Sequence, residues 1–315
     1  MINLCAVITA YNRADFVGTC IRSIYADVDD TLQIRVVVMD NGSSDDTADV
    51  AKAAGAEVLR TEDNRHIVEV INRGFKAAYE DQSCEYIVVM NEDTEYTPGS
   101  LRRLVDACVA NPDSVLTAMQ LNYRDPEKLD GNALNHVQAT RALVEDAVMG
   151  RPLKDVYDVP AIIGACMMAT RKAWEAIGEF DPLFWFYGVD DDICTRARWL
   201  GYRTLLVPGS QLLHAHGKLN VELREPDTAS VFRKWRLELQ AAFLFLLKYP
   251  NHGLLYCALR ASWRAFKGSL TCLMKGWPRG AVHTWVVWGS CMLQLGKIAA
   301  TRRKHYDPAK KLQQD

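Results

Sequence analysis

The sequence predicts an α/β fold, a mostly parallel sheet with helices on both faces, followed by a helical C-terminal segment. Three observations carry that expectation. Short apolar runs at 4–10, 34–39 and 86–90, unbroken from Ile87 to Met90, have the length and β-branched content of strands in a sheet covered by helices. Stretches with helical spacing stand between these runs, the alternation that makes parallel strands joined by right-handed crossovers. Beyond residue 236 the apolar residues recur at helical spacing over 237–247 and 254–274.

Taken in order, the first strand ends in Tyr11-Asn12-Arg13, and Phe16, Cys20, Ile21 and Ile24 give the next stretch its helical period. The second strand ends in Asp40-Asn-Gly-Ser-Ser-Asp-Asp-Thr47. Ser43 or Ser44 is expected to cap a helix over 45–54, which Gly55 stops. Residues 56–59 form a third short strand, 64–79 a loop and helix, and 86–90 the central strand. Thr97-Pro98 reads as a cap with proline at the first helical position, ahead of a helix over 100–109 and a strand over 116–121. Residues 122–158 are polar and poorly patterned, which suggests an insertion lying over the site. Thr170 caps a short helix ending at Gly178, an aromatic loop follows over 180–187, and Asp190-Asp191-Asp192 opens a helix that Gly201 ends. Residues 204–207 read as a strand ending in Pro208-Gly-Ser, followed by Leu212-Leu-His-Ala-His-Gly217.

The totals narrow the class. The 315 residues are 49 % hydrophobic, which fits a globular chain of one large or two small domains. The net charge of −2 conceals an asymmetry, since no Asp or Glu stands between Glu238 and Asp307 while Lys and Arg recur throughout that stretch. Nine cysteines without a C-x-x-C pair suggest buried thiols in a reducing compartment. The first residues lack a basic n-region and a cleavage site, so no secretory signal is expected. The longest uncharged stretch near the end, 280–296, falls short of the ~20 apolar residues that a spanning helix needs.

The chemistry-bearing residues cluster at strand ends. At the end of the 86–90 run polarity flips in one step to Asn91, Glu92 and Asp93. That puts acidic oxygens at the carboxyl end of an interior strand, where open α/β sheets bind ligands. Mg²⁺ or Mn²⁺ suits such a place, because these ions take one or two carboxylates and complete their shell with water and phosphate oxygens. The first two strands deliver Tyr11-Asn12-Arg13 and Asp40 to the same edge. No G-x-G-x-x-G or G-x-x-x-x-G-K-[ST] occurs at these turns, so a nucleotide would be held mainly by side chains. Three carboxylates in the first turn of one helix favour its dipole but repel one another. Asp192 can pair with Arg196 four residues on, which leaves Asp190 and Asp191 as candidate proton acceptors.

These residues resemble glycosyltransferase family two, inverting enzymes with the GT-A fold, and most closely its rhamnosyltransferase-like bacterial members. The resemblance covers roughly 3–217. It rests on Thr9-Ala-Tyr-Asn-Arg13, Asp40-Asn-Gly-Ser-Ser-Asp-Asp-Thr47, Asn72-Arg-Gly74, Asn91-Glu-Asp93, Gly164-Ala-Cys-Met-Met with Gly178-Glu-Phe-Asp-Pro182, Asp190-Asp-Asp-Ile-Cys-Thr-Arg196 and His214-Ala-His-Gly217, in that order. The resemblance implies that Tyr11 and Asp40 hold the base and that Asn72 lies near the donor. Thr9, Asn12, Arg13, Asn91 and Glu92 are expected around the nucleotide-sugar, and Arg65 is a candidate helper at the departing diphosphate. Asp93 would be the metal-binding carboxylate of the D-x-D motif, and His214 a further contact to metal or diphosphate. Asp190 would match the base of the E-D-x-D pattern, with Asp191 as the alternative register. Two departures from the family's pattern are Asn91 at the first acid of D-x-D and Val189 at the glutamate of E-D-x-D.

The expected organisation is a catalytic domain over 1–220, with a nucleotide-sugar half at about 1–121 and an acceptor half at about 122–220, and a basic amphipathic helical region over 221–315. Arg260, Arg264, Lys267 and Lys275 beside Trp263, Phe266 and Leu270 suit an anionic membrane surface, or equally a helical cap, and the two are compatible. The expected protein is thus a metal-dependent inverting glycosyltransferase, cytoplasmic and peripheral on the inner face of the plasma membrane. By resemblance its donor is dTDP-rhamnose and its acceptor a lipid-linked or other glycan, with no nucleic-acid partner. A UDP-sugar transferase (galactofuranosyl or N-acetylhexosaminyl) and a non-catalytic scaffold at the membrane are the alternatives. A nucleotidyltransferase would open with a glycine-rich loop and a lysine, which do not follow Ile8.

Overall fold

The structure is a computed structural model that describes residues 1–131, 137–215, 228–248 and 250–312. The expected domain boundary at 220 and the pair His216-Gly217 lie outside the described residues. The strands are β1 (Ile2–Ala10), β2 (Leu32–Asp40), β3 (Glu57–Arg60), β4 (Tyr86–Asn91), β5 (Thr94–Tyr96), β6 (Ser114–Asn122), β7 (Asp125–Leu129), β8 (Tyr157–Asp158), β9 (Cys166–Thr170) and β10 (Arg203–His214). They form one sheet in the order β3-β2-β1-β4-β9-β6-β10-β5, with β7 on β6 and β8 on β10.

The parallel arrangement holds for β3, β2, β1 and β4. Beyond β4 the sheet is mixed, because β9 runs antiparallel to both β4 and β6. The reason is how each strand arrives. β2, β3 and β4 are each reached through a helix, whereas β9 enters from the long connection over 123–165 and runs back through the sheet. That connection is not wholly unpatterned, since β7 makes a hairpin with β6. Residues 203–214 are one strand rather than two, with a register shift between Val207 and Gln211 where Pro208-Gly-Ser bulges out.

Successive side chains of β1 serve opposite faces, as a buried strand requires. Leu4, Ala6 and Ile8 pack with α1 (Val17–Tyr25) and α4 (Ser100–Ala110). Cys5 and Val7 pack with α3 (Ile67–Glu80), α6 (Arg171–Ile177) and α7 (Val189–Leu200). Gly74 in α3 lies so close to β1 that a Cβ there would fall 2.3 Å from a Val7 methyl carbon, which accounts for the glycine of Asn72-Arg-Gly74. Two shorter helices are α2 (Thr47–Ala53) and α5 (Arg141–Val148).

Two capping expectations are corrected. Neither serine caps α2, which starts later than expected. The Ser43 hydroxyl accepts instead from the Asn12 N–H, and the Ser43 N–H donates to Asp40. Pro98 lies ahead of α4 rather than at its first position, and Gly99 is the flanking residue. The free N–H groups there are met from another loop, with the Asp27 carboxylate accepting from Gly99 at 2.7 Å and Leu101 at 2.9 Å. Thr170 and Gly178 bound α6 as expected, and Gly201 ends α7.

The C-terminal helices are α8 (Thr228–Lys248), α9 (Leu254–Met274), α10 (Pro278–Met292) and α11 (Leu295–His305). Phe243, Leu244 and Leu247 of α8 share an apolar cluster with Phe184 of the loop before α7 and with Ala261, Val287 and Ile298. The region therefore packs as a cap on the sheet domain. None of the described helices is long and apolar enough to cross a membrane.

Candidate active site

β1, β4 and β9 place their ends in a common neighbourhood. Thr9 pairs with Asn91 across β1 and β4, and the Asn91 N–H donates to Ala165 just ahead of β9. β4 stops at Asn91 and β5 begins at Thr94, so Glu92 and Asp93 form the two-residue turn between them. β5 lies antiparallel to the end of β10, with His214 opposite Thr94. The Asp93 carbonyl accepts from Ala215, which fixes that turn against β10.

This pairing brings His214 Nε2 to 3.5 Å from Asp93 Oδ1, while His214 Nδ1 stands 3.7 Å from Asp130 Oδ2. All three side chains are buried. A carboxylate on one side of the ring with the other nitrogen directed at Asp93 is the arrangement found behind metal-binding histidines. Asp130 lies just past β7, and no local sequence signal marks it; only the long-range hairpin places it there. Beside the pair, Glu92 is pushed up to about 8 by burial and by the charge of Asp93, with Arg13 at 3.5 Å acting in the opposite sense.

On the other side of the opening, Gly188 in a left-handed conformation leads into α7. Asp190 Oδ2 accepts from the Gly164 N–H at 3.1 Å, which orients this carboxylate beside the start of β9. Two residues on, Asp192 is tied to Arg196 at 2.9 Å as the spacing predicts. Sequence reasoning missed its other partner. Lys248, the last residue of α8, reaches in to 2.6 Å from Asp192 Oδ1 and 2.6 Å from Asp181 Oδ2, all three being buried. His305 of α11 completes the group, with Nδ1 3.6 Å from Asp181 Oδ2. Asp181, Asp192 and His305 are spaced so that they could hold a metal ion. The Lys248 ammonium already takes the place a cation would occupy, and the cluster is a buried ion-pair network.

A cleft of about 880 Å³ joins these parts. Of the residues singled out from the sequence it is lined by Thr9, Tyr11, Arg13, Asn91, Glu92, Asp93, Asp190, Asp191 and His214. Four others do not line it, and each is engaged elsewhere. Asn12, with φ +52°, accepts through Oδ1 from the Ser44 N–H and so ties the loops after β1 and β2 together. Asp40 is fully buried, accepts from Ser43 within its own turn and lies 3.3 Å from Arg60. Asn72 clamps the backbone of Phe180 in both directions, at 2.9 and 3.0 Å. Arg65 pairs with Asp63 and Glu69 at the surface. Conversely, the cleft takes Asn41 and Gly164, which belong to segments quoted from the sequence without a role of their own, and, from the helical cap, Glu238, Phe245 and Arg264, which the strand-end pattern could not indicate.

Comparison with known proteins agrees with this architecture. The family described as Glycosyl transferase family 2 matches residues 5–178. N-acetylglucosaminyl-diphospho-decaprenol L-rhamnosyltransferase of Mycobacterium tuberculosis is 26% identical over 208 residues, 58% of this chain and 66% of the relative. The chain thus spans just under two thirds of that relative's length. Succinoglycan biosynthesis protein ExoU of Rhizobium meliloti is 32% identical over 108 residues, 33% of this chain and 30% of the relative. Among solved structures, a mannosyltransferase from Pyrobaculum calidifontis in complex with GDP-Man and Mn²⁺ superposes with a TM-score of 0.54 at 17% identity, covering 98% of this chain and 84% of that one. GalNAc-T7 with UDP, GalNAc and Mn²⁺ gives 0.54 at 14% identity, covering 79% and 51%. These neighbours establish the GT-A fold, and with the family match spanning more than half of the sequence, the chain belongs to glycosyl transferase family 2.

Proposed function

We propose that the protein is a metal-dependent, inverting glycosyltransferase that moves a sugar from a nucleotide-diphospho-sugar to a lipid-linked glycan carried at an anionic membrane surface. The observation that carries this reading is the single cleft lined on one side by Asp93 with His214 and on the other by Asp190 and Asp191. The donor set on the first side, a carboxylate and an imidazole backed by Asp130, fits Mn²⁺ or Mg²⁺. A divalent ion held there would supply Lewis-acid stabilisation to the departing diphosphate. Thr9, Tyr11 and Arg13 stand where the nucleotide would lie, and Asp40, through its turn, shapes the loop that receives the base.

Asp190 is the favoured base, since the Gly164 N–H fixes one of its oxygens while the carboxylate lines the cleft. It would take the proton of the acceptor hydroxyl as that oxygen attacks the anomeric carbon and the diphosphate leaves. A single displacement inverts the anomeric configuration and needs no covalent intermediate. A rhamnose donor is favoured by the name of the mycobacterial relative, and a role in surface polysaccharide synthesis by both relatives. The test is product analysis with dTDP-rhamnose, UDP-galactofuranose and UDP-N-acetylhexosamines, each with and without Mn²⁺, on a polyprenyl-diphosphate-linked sugar acceptor. Transfer from dTDP-rhamnose with inversion is the expected result. Retention of configuration, or turnover unaffected by chelator, would overturn the mechanism.

A further inference from the structure

α9 is amphipathic in the opposite sense to a helix on a water-facing surface. Cys257, Ala261, Ala265 and Ser269, small residues one turn apart, are the ones it buries against the protein. Its large apolar side chains turn outward instead, with Leu259, Trp263, Phe266 and Leu270 between 47% and 62% exposed. α10 follows a similar pattern, burying Gly280, Ala281 and Thr284 together with Val287 and Cys291 while Val282, Trp285 and Val286 face out. A soluble helix normally turns its large apolar stripe to the core, and large apolar side chains grouped on an outward face mark an interaction surface. α9 and α10 approach closely through these small residues, with the Ser269 hydroxyl 3.5 Å from the Ala281 carbonyl, and each helix leaves large apolar side chains turned away from that contact.

What covers it is indicated by charge. Arg260, Lys267, Lys275 and Arg279 are all exposed around these side chains, and no acidic residue occurs between Glu238 and Asp307. The Lys267 ammonium lies 5.1 Å over the Trp263 ring and the Arg260 guanidinium 5.9 Å over that of Tyr256, so the cations edge the aromatic surface. An apolar centre with tryptophan and a cationic rim matches acyl chains bordered by anionic headgroups. A two-fold contact with a second copy would set basic rim against basic rim. Because no described helix can cross a bilayer, the surface would lie in the interface plane. Arg264, adjacent to Trp263 in α9, also lines the catalytic cleft together with Phe245 of α8.

We propose that the outward face of α9 and α10 rests on an anionic bilayer and holds the mouth of the cleft, at Arg264, at the level of the lipid headgroups. This deepens the reading above and rests on it only for the purpose served, delivery of a lipid-linked acceptor to the cleft. The experiment is sedimentation of the full chain with vesicles of phosphatidylcholine alone or mixed with phosphatidylglycerol, alongside a thermal-shift measurement of donor binding. The chain should bind the mixed vesicles, more weakly as salt rises. Trp263→Glu with Leu270→Glu should reduce binding at least ~10-fold while the donor-induced shift is unchanged. Arg260→Gln with Lys267→Gln, which leaves the apolar face intact, should also weaken binding and flatten its salt dependence. Absence of vesicle binding by the full chain, equal binding to phosphatidylcholine alone, or a stable dimer that the Trp263→Glu, Leu270→Glu variant dissociates would overturn the proposal. Vesicle binding without any donor shift would count against the catalytic reading while supporting this surface.

Discussion

Asp181 with Asp192 and Glu92 with Asp93 are two acidic pairs that the protein treats in opposite ways. The first pair is buried under the cap, where Lys248 lies 2.6 Å from each and Arg196 2.9 Å from Asp192, so two negative charges meet two positive ones. The second lines an open cleft, with an imidazole at 3.5 Å from Asp93 and the Glu92 carboxyl pushed up to about 8. An ion pair completed inside the chain fixes geometry and has no charge to offer a ligand. Carboxylates at a cleft wall beside an imidazole can exchange ligands. The comparison separates a strut from a site, and each variant below tests one side of it.

The largest effect is expected at Asp93. Asp93→Ala removes a candidate metal ligand at a turn and little packing, so turnover should fall by at least ~10³-fold with the melting temperature nearly unchanged. Titrating the variant with Mn²⁺ and donor checks the assignment. A donor affinity that still rises with Mn²⁺ would remove Asp93 from the metal site.

The strut side should respond in stability instead. Lys248→Met leaves Asp181 and Asp192 close together in a buried space with Arg196 as the remaining cation, and breaking a buried pair in this way costs about 3–5 kcal/mol. Urea denaturation reads the loss directly. Adding Asp181→Asn should restore part of it, and a loss under ~1 kcal/mol would mean that the network is not the strut described.

Between the two sides stands the first turn of α7, where neighbouring aspartates divide the roles. Asp190→Asn should lower kcat by at least ~10²-fold with donor affinity nearly kept, as when a proton acceptor is lost but ground-state contacts remain. Asp191→Asn should be milder, and Asp192→Asn should register mainly as lost stability. If Asp191→Asn is the inactive variant while Asp190→Asn turns over, the base belongs one residue later.

The same contrast explains what could be seen in the sequence. Asn91-Glu-Asp93 was legible because a strand end is a local event, an apolar run meeting acids in one step. Asp192 with Arg196 was legible because four residues make one helical turn. Lys248 was not, since it stands 56 residues from Asp192 and nothing in its own helix marks it as buried. Asp130 behind His214, and Asn72 turned to the Phe180 backbone 108 residues away, depend likewise on how distant segments meet. The parallel half of the sheet followed from strand–helix alternation. The reversal at β9 did not, because direction there is set by a long connection without a regular period. Val189 and Asn91, the departures from the family's pattern, flank the two functional sides and leave both on the cleft wall.

The smallest effect tests the strut from the histidine side. His305 is pushed down to about 2, first by burial and then by Arg196, Lys248, Lys304 and Lys310, which together outweigh the nearby Asp181 carboxylate. In the unfolded chain its value returns to ~6.5. The unfolded chain therefore binds a proton that the native state refuses at any pH between the two values. Stability from this group is complete above ~6.5 and is lost as pH falls, by at most about 1.4 kcal/mol per pH unit. Glu92, with its carboxyl pushed up to about 8, also exchanges protons in the folded protein here, so the informative quantity is a difference. His305→Gln should be flatter than the parent chain between pH 6.5 and 5, by the slope of one proton, when unfolding free energies are compared by denaturant titration. If the two slopes coincide, His305 takes up its proton in the folded protein, Asp181 governs it rather than burial, and the network around Lys248 carries one more positive charge than its geometry implies.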